Sequence, residues 1–315
     1  MKPSNETYWS LPFLLGCVSL SVAIHWLIVN FIGSMWTRRL RHKLKGKVVL
    51  ITGGSSGLGE ALAHSFYKAG CRVILAARRT EELERVKKDL VALHKEGLTH
   101  TPEILQLDLA DLESLPDRAS QALELFGQID ILINNGGISN RGNVQSTNAN
   151  VFIKIMTVNF FGQMVLTKAL LPSMIRQQSG HIVAVSSVQG KMAIPFRSAY
   201  AASKHALQAF SDSLRAEVAQ HNIQVSVVSP GYIATALSIN ALTGSGSTHG
   251  VMDSAIASGY TPEYVAEEIL KAVIRDKKDI IIAPIVPRIA VLLREPCSMS
   301  LFQSHGKKSS QTGGC

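Results

Sequence analysis

Tyr200 and Lys204 stand four residues apart in Tyr200-Ala-Ala-Ser-Lys204, and on a helix that spacing puts both side chains on one face. A free phenol keeps its proton up to a pH of about 10, too high for ready exchange at neutrality, whereas a fixed ammonium beside it favours the phenolate. Tuned in this way, Tyr200 can hand a proton to a carbonyl oxygen as hydride reaches the carbonyl carbon. Thirteen residues before it stands Ser187, preceded by Ser186; a hydroxyl there could hydrogen-bond the same oxygen as charge develops on it. Tyr-x-x-x-Lys is frequent on helix surfaces, so the chemistry depends on what positions the pair.

The positioning elements form one repeating rhythm of strand and helix. His181 to Val185 reads as a strand that delivers the two serines, and a helix from Tyr200 to about Gln220 follows. Far upstream, the β-branched run Lys47 to Thr52 ends at Gly53-Gly54-Ser55-Ser56-Gly57-Leu58-Gly59, and Glu60 to Ala69 reads as a helix. Glycines in that setting let backbone close on a pyrophosphate, while the helix N-terminus offers free N–H donors. Arg72 to Ala77 is the second strand, at whose end an acidic residue would accept a ribose 2′-hydroxyl; Arg78 and Arg79 stand there instead. Guanidinium groups suit a 2′-phosphate, so NADP(H) is expected over NAD(H).

Two further strands stop in polar turns. Glu103 to Gln106 leads to Asp108 and Leu109, and Ile129 to Ile133 leads to Asn134, Asn135, Gly136 and Gly137. Asp108 could accept from an adenine amino group and the Asn-Gly turn could lie against a cofactor, although capping and turn formation explain both equally well. A sixth strand, Ile223 to Ser229, runs into Pro230-Gly231-Tyr232-Ile233-Ala234-Thr235. The alternation predicts a single α/β, Rossmann-type doubly wound domain over residues 47–285, with a parallel sheet of about seven strands.

Glycine turn, Asn-Asn-x-Gly, serine and Tyr-x-x-x-Lys occur in the order and at the spacing that mark the short-chain dehydrogenase/reductase family, and the chain resembles that family over roughly residues 46 to 285. The resemblance implies that Thr52, Gly53, Ser55, Ser56, Gly57, Leu58 and Gly59 line the pyrophosphate, and that Tyr200 donates the proton. It implies that Ser187 binds the substrate carbonyl, and that Lys204 binds the nicotinamide ribose while tuning Tyr200. Asn159 would hold a water in the proton relay, and Pro230, Gly231, Ile233 and Thr235 would contact the nicotinamide. Gly136 replaces the family's usual alanine, and the lost methyl is expected to loosen its turn. The stretch Ser187 to His205 with the N-terminal segment resembles the dehydrogenase/reductase member 7 group, which implies lipid-like carbonyl substrates: steroids, retinoids, or acyl or alkyl dihydroxyacetone phosphate. The reverse oxidation of a lipid alcohol uses the same residues. A catalytically idle NADPH-binding regulatory or scaffold protein would keep the fold alone. Homo-oligomers follow from the resemblance by analogy only.

The ends differ from the middle. Residues 1–10 form a tail, and residues 11–33 contain no Asp, Glu, Lys or Arg, enough helix to cross about 30 Å of hydrocarbon. The basic linker 34–46 and its border hold Arg38, Arg39, Arg41, Lys43, Lys45 and Lys47, six of the nine net positive charges. Charge clustered there suits a membrane flank and gives no support for nucleic acid binding. A cleaved signal peptide would have a shorter core and a small-x-small site, so a retained anchor is expected. The basic flank puts the catalytic domain on the cytosolic side, and the resemblance implies an endoplasmic reticulum membrane, with a peroxisomal one open. Residues 286–315 form an extension: Ile280 to Leu293 is apolar but interrupted by Pro284, Pro287 and Arg288, readable as a surface-lying segment or as a strand and packed helix. Cys17, Cys71, Cys297 and Cys315 lack paired metal-ligand spacing, and no metal is expected. Leu237 to Gly259, with Gly244, Ser245, Gly246 and Ser247, has the composition of a mobile lid.

Overall fold

The computed structural model describes residues 41–93 and 100–293, with the isolated helical positions Cys17, Leu20, Ser21 and Ile24. The tail, most of the expected 11–33 anchor and its basic flank up to residue 40 lie outside the described residues, as does the end of the extension from residue 294.

Seven parallel strands form one sheet: β1 (Val48–Thr52), β2 (Arg72–Ala77), β3 (Glu103–Gln106), β4 (Ile131–Asn134), β6 (Gly180–Val185), β7 (Ile223–Pro230) and β9 (Asp279–Ile282), in the spatial order β3-β2-β1-β4-β6-β7-β9. The order reverses between β1 and β4, whose register pairs Leu50 with Leu132, so a crevice opens beyond their carboxyl ends. The strands read as continuous apolar runs because both faces are covered. Helix α1 (Gly57–Lys68) packs against α8 (Pro262–Ile274), with α2 (Thr80–Leu93) beside α1. On the other layer, α3 (Leu115–Phe126), α5 (Gly162–Gln177) and α6 (Ser198–Val218) bury Leu115, Leu166, Leu170, Met174 and Leu214 in a common core. Thr261 caps α8 by accepting from Tyr264 N, with Pro262 at the first helical position.

Helix α4 (Ala149–Met156) continues through a π-helical turn, Thr157–Phe161, into α5. Among the described residues this run, Ala149–Gln177, is long and apolar enough to cross a membrane; its apolar residues Leu166 and Leu170 instead lie in the core. At the base of the sheet Asp130 accepts from Lys47 Nζ at 2.7 Å and from Val48 N at 2.8 Å, tying β1 to the start of β4. The final apolar stretch is β9 followed by α9 (Ile285–Leu292). That helix has no buried residue: Ile285, Val286, Ile289 and Leu292 are exposed, so the packed helix of one expectation is absent.

His181 is buried at the second position of β6, its Nε2 2.8 Å from Ser226 Oγ, and burial pushes its pKa down from 6.5 to about 4. Because the unfolded chain binds the proton more readily, stability is full above pH 6.5 and falls as pH drops through the window from 6.5 to 4. The expected loss is roughly 3 kcal/mol at the acid end. Urea unfolding at pH 7 and pH 4.5 should show a smaller difference for His181→Gln than for the native chain; equal differences would assign the acid sensitivity elsewhere.

Candidate active site

The glycine turn follows directly from β1. Gly53 and Gly57 have φ of +69° and +57°, a conformation that side-chain-bearing residues rarely hold, and α1 begins at Gly57. A side chain on Gly57 would meet Thr235 Cγ2 at 3.2 Å, so the turn Pro230–Thr235 after β7 closes against the start of α1. Arg79 Nη2 reaches back to donate to Ser55 Oγ and Ser56 Oγ, both at 3.0 Å, and Arg78 beside it is exposed. A cationic wall therefore stands where β2 ends.

The turn after β4 is clamped to β1. Thr52 Oγ1 accepts from Asn135 N and Gly136 N at 3.0 Å, and Asn135 Nδ2 donates to Thr52 O at 2.9 Å. Thr52 and Asn135 thus hold one another, and what they leave facing the crevice is backbone. Leu58 and Leu109 are buried, and Asp108 accepts from Ala110 N at 2.9 Å in its own turn. The expectation of a loosened turn at Gly136 fails: a methyl there would lie 2.7 Å from Leu109 Cδ1, so that leucine already fills the space.

Tyr200, Ser187 and Lys204 converge at the ends of β6 and α6. Tyr200 is buried, its backbone N donates to Asn140 Oδ1 at 3.1 Å, and its hydroxyl hydrogen-bonds Ser187. Ser187 Oγ also accepts from Gln189 N at 3.1 Å, while Ser186 Oγ donates to Lys204 O at 3.2 Å and so fastens α6 to β6. Geometry separates the two serines that sequence leaves side by side. Lys204 Nζ donates to Val185 O at 2.8 Å and lies 5.8 Å from the centre of the Tyr200 ring. Burial lowers its pKa to about 8.

Burial raises the pKa of Tyr200, and the opposing influences include the Ser187 hydrogen bond and the charges of Arg197 and Arg141. A buried phenol so placed stays protonated at neutral pH. Asn159 lies in the π-helical turn, a feature that often marks functional positions. Its side chain is committed to neighbours, accepting from Ile138 N at 2.8 Å and donating to Ile138 O and Ser203 Oγ at 2.9 and 3.0 Å. It holds the chain just beyond Gly137, where a side chain would lie 3.1 Å from Asn159 Oδ1 and 3.7 Å from Lys204 Nζ.

The segment expected to be a mobile lid is tied to the rest of the domain at two places. Within it β8 (Leu242–Thr243) pairs in parallel with β5 (Asn140–Arg141), and Asp253 takes ion pairs from Arg141 at 2.6 Å and Arg197 at 2.8 Å. Neither arginine carries a sequence motif, and only their shared contact with Asp253 reveals them.

The residues present fit a nicotinamide dinucleotide. Glycine backbone and a helix N-terminus form the phosphate cradle, Arg79 borders it, and the Lys204 ammonium has two N–H donors beyond the one given to Val185 O.

A doubly wound parallel sheet carrying this cradle and a Ser, Tyr and Lys set at its carboxyl edge defines an oxidoreductase of Rossmann architecture. The chain belongs to the short-chain dehydrogenase family, whose model, described as short chain dehydrogenase, matches residues 47–245. It is 57% identical over 93% of its length to the "Dehydrogenase/reductase SDR family protein 7-like" of Anopheles gambiae, covering 92% of that protein. It is 49% identical over 90% of its length to "Dehydrogenase/reductase SDR family member 7B" of Bos taurus, covering 85% of it. Among solved structures, a Burkholderia phymatum short chain dehydrogenase/reductase in complex with NAD superposes with a TM-score of 0.72 at 24% identity, over 81% of this chain and 95% of that one. A metagenomic short-chain oxidoreductase in complex with NADP gives 0.63 at 27% identity, over 76% and 98%.

Proposed function

We propose that this chain is a membrane-anchored, NADPH-dependent reductase of a ketone or other carbonyl on a hydrophobic substrate. The observation that carries it is the convergence of Tyr200, Ser187 and Lys204 beside the glycine cradle. Bound nicotinamide supplies the hydride. Tyr200 donates its hydroxyl proton to the carbonyl oxygen, and Ser187 hydrogen-bonds that oxygen as it gains charge. Lys204 holds the nicotinamide ribose with its remaining donors. Asn159 positions the Gly137–Ile138 backbone beside Lys204. Burial keeps Tyr200 in the phenol form, the state that gives up the proton in reduction, and the reverse oxidation would use the same residues.

Phe196, Tyr232, Leu237, Val251 and Met252 are exposed on the segments that flank Tyr200, an apolar rim suited to steroid, retinoid or acyl and alkyl dihydroxyacetone phosphate carbonyls. Delivery of such substrates from a bilayer accords with an anchor at residues 11–33 in an endoplasmic reticulum membrane, with the catalytic domain facing the cytosol.

Arg78 and Arg79 would take the 2′-phosphate of NADPH, while Gly231 and Ile233 hold the turn that carries Thr235. Replacing both arginines by alanine is expected to raise the KM for NADPH by about 10- to 100-fold, as loss of charge-assisted hydrogen bonds does, and to leave NADH nearly unchanged. The function is tested by nucleotide oxidation by the full chain in mild detergent, comparing NADPH with NADH across that carbonyl panel. NADPH-dependent turnover supports the reading; tight NADPH binding with no turnover of any carbonyl refutes it in favour of a regulatory role.

A further inference from the structure

The ion pairs of Asp253 join three distant parts of the chain. Its Oδ2 accepts from Arg141 Nη2 at 2.6 Å, Arg141 Nε at 3.0 Å and Arg197 Nη2 at 2.8 Å, and its Oδ1 lies 3.7 Å from His249 Nε2. The arginine side chains are only 12% and 13% exposed and that of Asp253 22%, so these charges meet largely out of water. Arg141 sits on β5 next to Asn140, whose Oδ1 receives Tyr200 N, and Arg197 is three residues before Tyr200, its guanidinium over the Tyr232 ring. Asp253 lies in the segment that joins Leu237 to Gly259, and its own N–H donates to Ser238 Oγ at 3.4 Å.

We infer that Asp253 is a positioning residue that latches this segment over Tyr200 and sets the net charge beside the Tyr200 hydroxyl. The inference rests on Tyr200 being the proton donor. With the latch made, one carboxylate balances two guanidinium groups. With it broken, both positive charges face the phenol without that balance, favouring phenolate and depleting the proton donor. The groups that bear on the hydroxyl are Ser187, which hydrogen-bonds it, and the charges of Arg197 and Arg141, with Lys204 Nζ 5.8 Å from the ring centre. Around Asp253 stand the two arginines and His249. Segment closure and proton donation are thereby coupled through one side chain.

The test needs no substrate, so it stands apart from the question of turnover. Tyr200 is titrated by phenolate absorbance as the difference between each protein and its Tyr200→Phe counterpart. Asp253→Asn should move that titration to lower pH and Arg197→Gln to higher pH; a purely structural role would move both the same way or neither. Hydrogen exchange of residues 237–259 should quicken by about tenfold in Asp253→Asn, as expected for a local unit that loses its tie. Asp253→Glu, which keeps the charge, should return both readouts toward native values. Titrations shifted in a common direction, or unchanged exchange in Asp253→Asn, would overturn the inference.

Discussion

Tyr200→Phe is expected to lower kcat/KM for carbonyl reduction by about 10²- to 10⁴-fold, the range over which a positioned general acid contributes, while leaving the affinity for NADPH within about threefold. The change removes one oxygen from a side chain whose ring stays in place, so packing at the head of α6 should survive. What is lost is the proton donor and the hydrogen bond to Ser187. Ser187 keeps its bond from Gln189 N, and Lys204 keeps Val185 O, so nucleotide binding has no reason to fall. The native pH profile follows from the same hydroxyl. Burial raises the pKa of Tyr200, so reduction should hold through neutral pH and decline only in the alkaline range as the proton is lost. Stopped-flow hydride transfer together with nucleotide fluorescence separates the two effects. A variant that still reduces carbonyls within tenfold of the native rate would remove Tyr200 from the reaction.

Gly59→Ala should be among the most damaging small substitutions in the domain. A methyl at Gly59 would overlap the carbonyl oxygen of Gly53 and lie 2.8 Å from Asn135 Nδ2. Backbone cannot rotate out of the way as a side-chain end can, so the first turn of α1 must withdraw from the glycine turn, and the phosphate-facing N–H groups withdraw with it. Overpacking of this kind costs about 1–3 kcal/mol or more, which lowers Tm by roughly 3–10 °C in a domain of this size. NADPH affinity should fall by on the order of 100-fold in addition. Gly54→Ala is the matched control: its methyl would come no closer than 3.1 Å to Leu75 Cδ2, a flexible side-chain end, and the same measurements should show a much smaller loss. Equal effects at the two positions would mean that close approach of α1 to the turn is not what the cradle needs.

The features legible in the sequence were those governed by neighbours a few residues away. The glycine turn between β1 and α1, the Thr261-Pro262 start of α8 and the shared face of Tyr200 and Lys204 depend on local backbone geometry and helical period, which spacing reports directly. The alternation of strand and helix likewise determined the doubly wound class, because buried parallel strands must read as apolar runs joined by amphipathic crossovers. Contacts across the sheet were not legible in this way. Thr52 meets Asn135 because β1 lies beside β4, and Leu109 fills the space at Gly136 because the loop after β3 reaches the turn after β4 past the ends of the two strands between them. Arg141 meets Asp253 across 112 positions and Arg197 meets it across 56. No periodicity reports such a pairing, since each partner is an ordinary polar residue in its own loop. The sequence by itself determined which groups could do chemistry and the order of the elements that carry them. Only the tertiary structure decided which charges act on Tyr200, because electrostatic influence depends on distance and burial, and strand order sets both.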